Sequence, residues 1–300
     1  MKNKGLSFRL VDILLLVLTV LPLVFGMVFH ILTEPMSEGI EIAGPRIYFT
    51  ISMPVQDLPI TESQINSWLV IVSVFFLCLY LTHGLSVRDV SRRQHFLEWV
   101  IEKTENLVKE NMGEFFDGFA PFIAAIMALS AFSSLLTLIG LYPPTSDLNV
   151  VGGWALLVFI LITYYKFKCG PIHYLKSFGD PVPLLAPLNV ISEVATPVSM
   201  AFRHYGNILS GTVISVLVSA GLQGLSAMIF GKLPGILGEI PFLQIGIPAV
   251  LSVYFDIFSG CLQAFIFEML TMLYISTAFP EEDYKQRKNS KTTKTTLSVQ

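Results

Sequence analysis

Three hundred residues, 53% hydrophobic and 14% charged at a mean hydropathy of +0.66, exclude an ordinary soluble domain, whose charged share is about 25%. The net charge of -3 is near balance, so the placement of charges tells more than their sum, and nothing in it points to nucleic acid. The chain reads as an all-α polytopic membrane protein with about six membrane helices and the lipid bilayer as solvent.

Lys2, Lys4 and Arg9 precede an apolar run over residues 12–32, long enough to cross the roughly 30 Å hydrocarbon layer, with no small-residue cleavage site after it. A retained anchor with a cytoplasmic start is expected. Residues 33–64 carry Glu34, Glu38, Glu41, Asp57 and Glu62 against Arg46 and should face outside. Asn66 and Ser67 cap a second span to about residue 85, followed by Arg88, Arg92 and Arg93 on the inner side. From Arg92 to Met112, apolar Phe96, Leu97, Val100, Ile101, Leu107 and Val108 recur at three and four spacing against a charged face. This amphipathic helix either packs on its own protein or lies on the inner leaflet.

A third span covers residues 119–142, an acidic turn Pro143-Pro144-Thr145-Ser146-Asp147 faces outside, and a fourth span covers 150–167 with Lys166 and Lys168 at its inner end. The proline-rich connection over 170–187 cannot be one helix. The last two apolar segments, 198–230 and 248–279, are each roughly 48 Å long as helices, so a strongly inclined helical hairpin is expected, turning over 231–246. Residues 281–300 read as a disordered cytoplasmic tail, which places both termini inside. Cys78, Cys169 and Cys261 have no metal-ligand spacing, so no disulfide, metal or cofactor is expected.

Arg203 stands alone among these segments. Between Lys176 and Lys285 the only other basic residue is Lys232, in the hairpin. An arginine cannot shed its proton, and insertion scales charge about 2.5 to 3.5 kcal/mol for it near a span centre, so a partner charge or wet cavity is implied. Asn207 shares its helical face, four residues on, whereas Thr212 points roughly the opposite way. On the second long segment Asp256 and Gln263 share a face. Packing glue accounts for such amides, at about 0.6 to 2 kcal/mol each, but not for a permanent cation. Glu193, one turn before a break expected at Pro197, is either an inner-surface residue or a pathway residue. Glu268 is either at the inner surface or on a pathway, and Asp256 is the best placed of the three to take and release a proton.

Pro197-Val198-Ser199, Arg203, Gly206-Asn207, Gly211 and, later, Leu262-Gln263-Ala264-Phe265-Ile266-Phe267 resemble subunit a of the F-type ATP synthase. The likeness extends through Pro143 to Asn149, the Tyr174-Leu175-Lys176-Ser177-Phe178 loop and the amphipathic segment, covering residues 59–280 or so as a core. Residues 1–58 are an additional membrane helix and external loop. The resemblance implies a non-catalytic subunit in the inner (plasma) membrane of a bacterium. It would lie against a ring of c subunits and conduct a proton or sodium ion through two half-channels to the ring carboxylates. The peripheral-stalk subunit b and the catalytic ATPase sector are implied as further partners; no nucleotide-binding glycine loop is present. Arg203 would separate the half-channels, and Asn207, Thr212, Asp256 and Gln263 would serve ion translocation. The chain departs from the family in having His204-Tyr205 where Leu-Phe is common, and an acid at Asp256 alone rather than also at Thr212. His204 is then a second relay or a packed polar residue. The reading from a different class is a secondary transporter with Arg203 holding an anionic solute; no internal repeat supports it.

Overall fold

A computed structural model describes residues 2–33, 44–54, 56–87, 90–172, 183–230 and 253–279, with a few single positions between them; side chains are described from residue 9 onward. The expected hairpin turn over 231–246, the external stretch 34–43 and the tail after residue 280 lie outside the described residues. So does the side chain of Asp256.

Among the described residues, six helical stretches are long and apolar enough to cross a membrane. Helix α1 (Lys2–Thr33) packs antiparallel on α2 (Glu62–Thr82). Between them the connecting segment forms a small antiparallel pair, β1 (Ile47–Ile51) with β2 (Leu58–Thr61), which the sequence analysis did not anticipate. Alternate β-branched and aromatic residues in Ile47-Tyr48-Phe49-Thr50-Ile51 supply the missed signal.

Helix α3 (Arg92–Met112) starts at Ser91, whose hydroxyl accepts the Gln94 amide at 3.2 Å, and stops at Gly113, held at φ +82. The alternative of packing on its own protein holds for the C-terminal half of this amphipathic helix. Val108 and Met112 are buried in the protein core, while Phe96, Trp99 and Ile101 remain about half exposed, as a leaflet-facing end would be.

Helix α4 (Ala120–Leu135) continues as a 3₁₀ turn to Ile139, and Gly140, at φ +77, turns the chain into the Pro143–Asp147 corner. Asp147 caps α5 (Leu148–Cys169) by accepting the Asn149 amide at 2.9 Å. The main core joins the end of α3, α4, α5 and the last helix through Ile123, Val158, Phe267, Met272 and Ile275.

The greatest departure from expectation is α6 (Ala186–Phe230), 45 residues long. It begins inside the expected connection and runs through Pro197 without ending. In lipid the helix is the only way to satisfy most of its own backbone groups, so losing one bond at a proline is cheaper than stopping. At 1.5 Å per residue it measures about 68 Å, so it crosses the layer inclined or extends past it. The second long segment is shorter than expected as regular helix: a π-helical turn (Val253–Ser259) leads into α7 (Gly260–Ala278). Such turns widen a helix and gather at functional sites.

Candidate functional site

The two long segments meet where a glycine removes a side chain. A Cβ on Gly260 would stand 2.6 Å from the Ser134 Cβ, so α7 touches α4 there, and a Cβ on Gly211 would stand 3.3 Å from the Phe255 Cβ. These approaches bring Asn207 to α7. Its Nδ2 donates to Gln263 Oε1 at 3.5 Å, and its Oδ1 accepts from the Ser259 hydroxyl at 3.1 Å. Gln263 is buried and Asn207 half-buried. Ser259 escaped the sequence reading, although it stands one turn before Gln263 on the same face.

Arg203 lies one turn before Asn207, and its side chain is exposed on the outside of the bundle. Among the described residues it makes no ion pair and no hydrogen bond. Its flanks are apolar: Phe202 is 56% and Val198 47% exposed. Between α5 and α6 the same region holds a cavity of about 420 Å³ lined by apolar side chains such as Phe159, Val198 and Phe202, which has no polar group to offer chemistry. The guanidinium thus projects from a surface that lipid or another protein must cover, with no counter-charge among the described residues.

His204 turns the opposite way and is fully buried. Its Nε2 meets the Ser130 hydroxyl at 3.4 Å, and its ring stands edge-on to Phe267 and Trp154, at 5.6 and 6.1 Å between centroids. It is placed as a packed polar residue, with Nδ1 unpartnered among the described residues. Glu268 is fully buried with neither oxygen partnered among the described residues, so of the two positions open to it, surface or pathway, the surface one does not fit. Glu193 is paired at the end of α5: its carboxylate takes the Lys166 ammonium at 2.9 Å and the Tyr174 hydroxyl at 2.8 Å. Thr212 is exposed, its hydroxyl donating to the Ile208 carbonyl at 3.1 Å, and does not join the Asn207–Gln263 group.

The described residues thus form a bundle of helices long and apolar enough to cross a membrane, with an exposed arginine one turn from an amide pair. The family model described as ATP synthase A chain matches residues 64–276, and the chain belongs to that family. Relatives named ATP synthase subunit a include one from Legionella pneumophila (strain Philadelphia 1), 30% identical over 235 residues, covering 78% of this chain and 93% of the relative. One from Trichlorobacter lovleyi is 32% identical over 225 residues, covering 73% and 88%. A relative from Propionigenium modestum, named ATP synthase subunit a, sodium ion specific, is 26% identical over 284 residues, covering 84% and 89%. The family match begins after α1 and the β1–β2 pair, so those elements lie outside it. The chain is a multi-pass bacterial membrane protein of a subunit family from the ATP synthase complex.

Proposed function

We propose that this chain is the ion-conducting stator subunit of an F-type ATP synthase, carrying a proton or sodium ion through two offset half-channels to carboxylates on a rotating ring of c subunits. The observation that carries the reading is Arg203: a permanent cation on the outer face of α6, flanked by exposed Phe202 and Val198, with no partner among the described residues. A passing ring carboxylate supplies the missing charge. At about 4 Å and an effective dielectric near 20 the pair is worth roughly 4 kcal/mol before desolvation. That equals one charge falling through about 170 mV, so the attraction orders each step and still lets rotation break it.

Asn207, Ser259 and Gln263 stand one turn further along the seam and orient the approach, since amides and hydroxyls both donate and accept without fixing a charge. Asp256 sits in the π-helical turn just before them and acts in outer-side access, with Thr212 on the same side of Arg203. The subunit itself is non-catalytic; the peripheral-stalk subunit b holds it and the catalytic ATPase sector makes the nucleotide. Residues 59–280 form the conserved-function core, both termini lie in the cytoplasm, and the membrane is the inner membrane of the cell.

Arg203→Ala in the assembled complex tests this. ATP synthesis and coupled ion transport are lost while the subunit remains in the complex. Normal synthesis in that variant contradicts the reading.

A further inference from the structure

Helix α1 lies outside the region shared with the family, yet it contributes to a polar cavity on the outer side. His30 Nδ1 and Glu62 Oε1 are 2.9 Å apart, with the Glu62 side chain only 4% exposed. They share a cavity of about 250 Å³ with Gly44, Arg46, Thr137, Gly140, Leu141 and Tyr142. Burial first, then Asp147, Tyr205 and Glu62, push the Tyr142 phenol up to about 12, so two carboxylates and a residue of α6 lie within electrostatic reach of this wall.

The cavity does not end at Thr137. That residue also lines a smaller pocket with Ser134, Ile208, Gly211 and Phe255, of about 10 Å³, close to the room one water needs. Ser130 and Ser134 on α4 and Thr137 in the 3₁₀ turn that continues it are spaced four and three apart, which sets their hydroxyls along one side of this stretch. Ser134 abuts Gly260 and Ser130 reaches His204, which places this face against the same two helices that carry Asn207, Ser259 and Gln263. Phe255 is next to Asp256. The pocket at Thr137 and the approach of Ser134 to Gly260 therefore lead from the outer cavity to the helices that carry the amide pair.

We propose that His30 and Glu62 form the outer mouth of the ion's access route and that Thr137 is its first constriction, so that α1 is part of the conduction path as well as an anchor. The inference rests on the half-channel reading above. Glu62 offsets the Arg46 charge on the same wall, so that without it the mouth would repel a cation. His30, the one contribution from α1, holds the Glu62 carboxylate toward the cavity.

The test uses membrane vesicles carrying the whole complex, with the outer face exposed to a membrane-impermeant cationic thiosulfonate. The unsubstituted protein, with its own Cys78, Cys169 and Cys261, sets the background. Thr137→Cys is expected to react from outside and to lose ion conduction on reaction. Glu62→Gln is expected to slow conduction by about ten-fold, the lower end of what a focused charge contributes to encounter rates, and His30→Ala to have a smaller effect in the same direction. Thr137→Cys that stays unreactive, or that reacts without loss of conduction, overturns the proposal even if Glu62→Gln fails to assemble. Arg203→Ala run in parallel separates the two readings: normal coupling there removes the half-channel reading itself, whereas lost coupling there with an inert Thr137→Cys removes only the outer mouth.

Discussion

Asn207 on α6 and Gln263 on α7 meet amide to amide, Nδ2 to Oε1 at 3.5 Å, one turn from an exposed guanidinium. Ser259 closes the group by donating to Asn207 at 3.1 Å. Such pairs between membrane helices are worth about 0.6 to 1.7 kcal/mol, because the separated helices find other partners. A double-mutant cycle of Asn207→Leu and Gln263→Leu, read by thermal unfolding of the complex, should return a coupling energy in that range. Each single variant should also lower ATP-driven ion pumping by more than this stability change explains.

Gly260 marks a close approach between α7 and α4. A methyl group there would fall 2.6 Å from the Ser134 Cβ and 2.8 Å from its Oγ, so Gly260→Ala must push α7 off α4. Overpacking of this kind costs about 1–3 kcal/mol. Gly211→Ala, whose Cβ would meet Phe255 at 3.3 Å, should cost less. Ser134→Gly should recover most of the Gly260→Ala loss, and thermal stability of the assembled complex reads both.

Glu268 is buried among α7's core residues with no hydrogen-bond partner among those described. A polar group held this way costs about 1–3 kcal/mol by mutational measures. Glu268→Met, close in length, should raise thermal stability by that order. Stability that rises while ion transport falls is the signature of a pathway carboxyl; stability that rises alone marks a packed acid.

Tyr174 donates its hydroxyl to Glu193 at 2.8 Å, and burial, then that carboxylate, push its phenol up to about 12. A folded-state pKa above the unfolded value of about 10 means that the neutral phenol is favoured by folding. Its contribution is fully present below about pH 10 and is lost as pH rises through about 12. Ultraviolet titration of wild type against Tyr174→Phe should therefore show no difference in ionised tyrosine until the pH nears 12.

Much of the fold was legible because lipid enforces simple rules. The bounds expected for α3, Arg92 to Met112, are those observed, since Ser91 caps one end and Gly113 ends the other. The expected α6 break at Pro197 did not occur, because a soluble-protein rule about proline yields in a setting where an ended helix has no water to satisfy it. The π-helical turn before Gly260 carries no sequence signal of its own, since Asp256 and Ser259 among apolar residues fit an ordinary helix equally well. At the site, Arg203 announced itself by charge alone, and the Asn207 and Gln263 faces followed from spacing. The burial of His204 and Glu268 depends on which way each helix is rotated in the bundle, and apolar runs with near-uniform hydrophobicity do not encode that rotation strongly. The outer cavity was not legible at all, because its walls come from α1, the β1–β2 segment and the α4 corner, brought together only by folding.

The most direct measurement is a density map of the whole membrane sector that resolves Arg203 at its interface with the ring. The account predicts the guanidinium facing the ring carboxylates along the rotation path, within about 4–6 Å of one as it passes, the range over which an opposite charge governs ionisation. An Arg203 side chain turned to bulk water or lipid headgroups, with no ring carboxylate reaching it at any rotational position, would contradict it.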